Sequence, residues 1–160
     1  MNPLHRWLSE PGFLGTGAAR GSDLLLLGLL LLAALVAVGL HAARRGFLRR
    51  HALCMGGATQ ILLLVVTVFT GWTRAGGLRG GRPVARDLMG LHLALATGGL
   101  VLLPVTVSLG GIALAARRGR IRALAWPRRH RALGYGTALL LGATALTGIL
   151  VYALRYRIRA

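Results

Sequence analysis

The chain has 160 residues, 55% of them hydrophobic, with 20 Lys+Arg against 3 Asp+Glu and one cysteine. So few carboxylates leave acid–base hydrolysis little to work with, and Cys54 alone can form neither an internal disulfide nor a CxxC metal or redox motif. A net charge of +17 on a soluble fold would point to nucleic acid, but every basic residue is arginine and almost all lie between or outside long apolar runs, so the expected contact is anionic lipid head groups and no nucleic-acid role is expected.

Residues 1–22, which include HRWLSEPGFLGTGAARGS, are short and Gly/Pro-punctuated and read as an interfacial N-terminal segment. Trp7, Leu8, Phe13 and Leu14 suit the depth that tryptophan favours. A four-span domain follows over 23–156. The first span covers about 23–43, with Ser22 and Asp23 suited to capping a helix N-terminus and His41 at its far end. About 20 residues at 1.5 Å each cross a hydrocarbon core of about 30 Å. The connection RRGFLRR is short, which makes the next helix an antiparallel neighbour.

The second span covers about 52–73. His51 stands at its mouth, Met55 lies one turn further on the same face, and Gln60 is expected to make an interhelical hydrogen bond. Residues 74–87, RAGGLRGGRPVARD, lack both GxxxxGK[ST] and a flanking strand, so a phosphate loop is rejected in favour of a surface connection. The third span, about 88–116, holds His92 one turn inside, a stripe at Gly90, Ala94 and Gly98, and Pro104 as a kink. After a basic connection with Trp126 as an interfacial anchor, the last span covers about 132–154. It carries Gly134, Ala138 and Gly142 as a second stripe, and Tyr152 and Tyr156 as an aromatic belt at its exit. The fold class expected is therefore all-α: an integral membrane four-helix bundle. Eleven arginines on the two short connections against nine elsewhere favour cytoplasmic placement of those connections, with both termini outside.

Histidines in or at the rim of a bilayer mark functional sites. Antiparallel threading puts His41, His51 and His130 near one surface, while His92 enters from the other. Two chemistries fit such a cluster. Paired neutral imidazoles on facing helices can be axial ligands of a b-type haem, whose propionates the nearby arginines would meet. Alternatively, His51 and His130 with Met55 can bind copper. A structural subunit with no cofactor is the third reading.

The segments HALCM (51–55), LHLALATGGLVLLPVTVSL (91–109) and RRHRALGYGTALLLGATALTGILVY (128–152) resemble the YozB-like family of small four-helix membrane proteins. The resemblance spans about 44–156 and rests on His51 with Met55, His92 with Pro104, and His130 with Thr147, Gly148 and Tyr152. Some members of that family are implicated in maturing haem-copper oxidases. The resemblance thus implies an accessory role in assembling a respiratory complex; joined to the histidine reading, it leads to the expectation of a non-enzymatic accessory or assembly subunit of a respiratory or other electron-transfer complex, holding haem or copper through His51, His130, His92 and His41. Other membrane-protein subunits are expected as partners, and residence in a bacterial plasma membrane is expected. The last helix also reads like a b-type cytochrome helix (HRALGY, then TG), which keeps a resident b-type haem electron-transfer protein as the alternative.

Overall fold

The computed structural model describes residues 3–74, 83–118 and 126–156, with the side chains at 117 and 126–128 outside that description. The connection expected over 74–87 and the interfacial role of Trp126 fall largely or wholly outside it. A short helix, α1 (Pro3–Ser9), precedes four long ones: α2 (Arg20–Arg44), α3 (Leu48–Arg74), α4 (Arg86–Arg117) and α5 (Trp126–Tyr156). All four long helices are long and apolar enough to cross a membrane. No strand forms among the described residues; a lone antiparallel bridge joins Pro11 to Ala19.

Packing is densest within two antiparallel hairpins, α2/α3 and α4/α5, and thinner across the seam between them. The core lies in that seam at mid-height: Leu32 and Val36 of α2, Ala58 and Leu62 of α3, Leu103 of α4 and Leu141 of α5. Large aliphatic side chains such as Leu53, Leu139 and Leu146 face outward, as a lipid solvent requires. The small-residue stripes act only in part. Gly98 sits against Leu140 and Gly99 against Leu141, whereas Gly90 and Gly142 meet nothing.

The first hairpin turns on Gly46. Its φ of 78° lies in the left-handed region, Phe47 N–H donates to Ala42 O at 2.8 Å and Gly46 N–H to Ala43 O at 3.1 Å. This Schellman motif satisfies the last carbonyls of α2 and reverses the chain in three residues. The turn fixes the register of α3 on α2, bringing Gly39 opposite Cys54 and Met55, Gly28 opposite Val65 and Gly21 opposite Trp72.

The N-terminal segment folds back over one end of the bundle. Arg20 N–H donates to Glu10 O and Gly12 N–H to Ala18 O, closing residues 11–19 into a loop in which Gly15 and Gly17 take positive φ. Asp23, fully buried, holds this loop down. Its Oδ2 accepts the N–H groups of Phe13 at 2.8 Å and Leu14 at 2.9 Å, and its Oδ1 accepts the hydroxyl of Tyr152. Tyr152 in turn accepts from Thr16 at 2.8 Å, and Ser22 pairs with Tyr156 at 2.8 Å. Trp72, also buried, donates its indole N–H to Ser9, and Arg20 pairs with Glu10 at 2.7 Å.

Two expectations change as a result. Ser22 and Asp23 do not cap α2, which begins three residues earlier with Ala19 as its N-cap, because the carboxylate reaches back to loop amides instead. Tyr152 and Tyr156 hydrogen-bond under the N-terminal segment rather than forming an outward belt. Gln60 likewise differs: it lies exposed on the outer face of α3 and makes no hydrogen bond among the described residues.

A buried carboxylate with three donors loses much when the carboxylate goes, because the donors stay buried. Asp23→Ala is expected to lower unfolding stability in detergent by about 3 kcal/mol and Tyr152→Phe by about 1.5 kcal/mol. Both should make the bonds around 10–19 more susceptible to protease. Measuring reversible unfolding and limited proteolysis of the two variants tests this.

Candidate functional site: a facing imidazole pair

His51 is in the first turn of α3 and His130 near the start of α5, so each hairpin contributes one ring at the same end of the bundle. The rings meet across the seam with centroids 6.1 Å apart and planes at 65°. Each is held by its own hairpin. His51 Nδ1 lies 2.9 Å from Gly39 O on α2, and His130 Nδ1 lies 3.0 Å from Thr106 O on α4. A carbonyl can only accept, so Nδ1 carries the proton in both rings. Nε2 is then the nitrogen with the free lone pair, the one used toward metals when the other is fixed this way.

Small residues make these contacts fit. A Cβ at Gly110 would lie 2.9 Å from His130 Cε1, so only a glycine there lets the ring reach the carbonyl of Thr106, one turn back. At Gly39 the methyl of Met55 and the Cβ of Cys54 fill the space a side chain would take, and His51 Nδ1 lies beside them. Beneath His130, the hydroxyls of Thr106 and Thr137 bond to each other at 2.8 Å, spending buried polar groups on one another.

Of the other sequence candidates, Met55 stays beside His51, whereas His41 and His92 separate from the pair. His41 does not join it: the ring is exposed and lines a groove on the outer face of the α2/α3 hairpin with Phe47, Arg50 and Cys54. The reason is angular. His41 follows Gly39 by two residues, about 200° around the helix, so it has the right depth and the wrong direction. Met55 spends its methyl end on the Gly39 backbone and packs against the apolar core.

His92 stands toward the capped end. Its Nδ1 lies 3.0 Å from the hydroxyl of Thr147, which itself donates to Ala143 O and Thr144 O, so the imidazole N–H is the donor. Its Cε1 would sit 3.1 Å from a Cβ at Gly148. His92 precedes Thr106 by 14 residues on α4, which places it about 20 Å from the pair along the helix. His5 lies in α1, its ring nitrogens screened from solvent and without a hydrogen bond among the described residues.

Among the described residues, no group of three or more His, Cys, Asp or Glu side chains is placed to hold a metal ion. The pair can therefore offer an ion two imidazoles, and any further donors must come from elsewhere. No protein-family profile, curated protein or solved structure matches this chain.

The opposition of the two rings has a direct check. In a Cys54→Ser background, His51→Cys with His130→Cys should be bridged by a short bifunctional thiol reagent. His92→Cys with His130→Cys should not, being a bundle-length apart. Gel mobility after protease cleavage between α3 and α5 reads out the bridge.

Proposed function

We propose that the chain holds one b-type haem between His51 and His130 and serves as an accessory subunit of an electron-transfer complex in a bacterial plasma membrane. The observation that carries this reading is the pair itself. Two Nδ1-anchored imidazoles, one from each hairpin, meet edge-on with centroids 6.1 Å apart across the seam of a four-helix bundle. His51 and His130 would be the residues that hold the iron of such a group, each through its Nε2. A b-type haem would draw few ligands from the chain, and two imidazoles are what this pair would supply. Copper fits less well, because no group of three or more His, Cys, Asp or Glu among the described residues is placed to hold an ion.

The protein's own contribution is positional. Carbonyls of Gly39 and Thr106 fix the tautomer and raise the basicity of each Nε2. The Gly39 and Gly110 backbones give the rings room, and the apolar core beneath limits water. Arg45, Arg49, Arg129 and Arg131 lie at the same end and supply positive charge for two carboxylates. Haem, when bound, supplies reversible one-electron chemistry.

The accessory role follows from the asymmetry of the histidines. One site near one surface serves only that surface, and His92 has no facing imidazole at the other end among the described residues. A complete crossing would need a partner subunit, which agrees with the resemblance to the YozB-like family. The arginine excess favours placing the imidazole pair at the cytoplasmic surface.

Protein purified in detergent from haem-replete cells should show a Soret band with a low-spin, bis-imidazole spectrum. His51→Ala and His130→Ala should each abolish that spectrum, while His92→Ala and His41→Ala should keep it. Correctly folded wild type with no Soret band after haem titration overturns the reading.

A further inference from the structure

The outer face of the α2/α3 hairpin carries a groove that the imidazole pair does not use. Val38 and His41 of α2, Phe47 of the turn, and Arg50, Leu53 and Cys54 of α3 line it, and its volume is about 320 Å³. The groove is chemically graded along the membrane normal. His41, Phe47 and Arg50 stand within about a turn of Gly46, where the apolar spans end, whereas Val38, Leu53 and Cys54 lie deeper. The polar end is already organised, since the Arg50 guanidinium lies 5.3 Å over the Phe47 ring. His41 adds a ring nitrogen donor, and Arg44, Arg45 and Arg49 add positive charge around the mouth.

An occupant must be anionic at head-group depth and aliphatic one turn below. We propose that this groove binds one anionic phospholipid, its phosphate between Arg50 and His41 and an acyl chain along Val38, Leu53 and Cys54. A guanidinium offers a phosphate two parallel N–H bonds, and one held by an aromatic ring loses less freedom when it makes them. The lipid would also cover aliphatic surface and brace the hairpin that carries His51 from outside. The proposal rests on the membrane-spanning fold and not on haem, because neither His51 nor His130 lines the groove.

Native mass spectrometry of protein released from nanodiscs of equal phosphatidylglycerol and phosphatidylcholine tests it, with no haem needed for the readout. One phosphatidylglycerol should stay with each chain, and Arg50→Gln should cut that retention about fivefold. Leu53→Trp, which fills the apolar end and leaves every charge in place, should cut it as well. Arg74→Gln, at the other end of α3, should leave it unchanged. Equal retention of phosphatidylcholine, or retention unchanged in both Arg50→Gln and Leu53→Trp, overturns the proposal. Displacement of the lipid by millimolar glycerol phosphate alone would reduce the site to a phosphate site and overturn the acyl-chain part.

Discussion

An imidazole N–H reaching the backbone carbonyl of a neighbouring helix is the contact on which the rest of this molecule turns. Helix carbonyls are normally engaged within their own helix and screened by side chains. At Gly39, and at Thr106 with Gly110 one turn above it, the screen is missing on the side that faces the next helix, and a histidine ring enters. In a low-dielectric surrounding that bond is stronger than in water and its absence costs more. It therefore selects the tautomer, the rotamer and the local helix separation together. His92 follows the same plan with a threonine hydroxyl as acceptor and Gly148 as the gap.

The two hairpins divide the work. Each is internally tight, and each presents one fixed imidazole to a seam that is more loosely packed. The tautomer and direction of each ring are thereby set by its own hairpin. The Schellman turn at Gly46 belongs to the same device. By fixing how α3 returns along α2, it decides that His51 meets Gly39, and that Arg50 and Leu53 point away from the seam.

Depth in the bundle was legible in the sequence, and direction was not. Four unbroken apolar runs bounded by arginines gave the spans to within a few residues, and the alternation of chain direction put His51 and His130 at one end and His92 at the other. The same reasoning placed His41 with the pair, because depth alone cannot say which side of a helix a residue takes. Asp23 and the two tyrosines were misjudged for a related reason. Their partners lie far away in the chain, at Phe13, Leu14, Thr16 and Ser22, and appear only when the N-terminal segment is folded back. Short-range capping and belt preferences are correct in kind, and a buried network outweighs them here. Gln60 is the reverse case, a polar residue whose expected partner is not found within the described residues.

The order of synthesis gives the Asp23 network a further meaning. Residues 13–23 leave the ribosome first, yet the hydroxyl that completes the carboxylate's shell sits on α5, more than a hundred residues later. Until α5 arrives, the carboxylate can hold the Phe13 and Leu14 amides but lacks the tyrosine hydroxyl. The last donor to this carboxylate therefore comes with the last helix, so the two ends of the chain are tied together only once synthesis has passed α5.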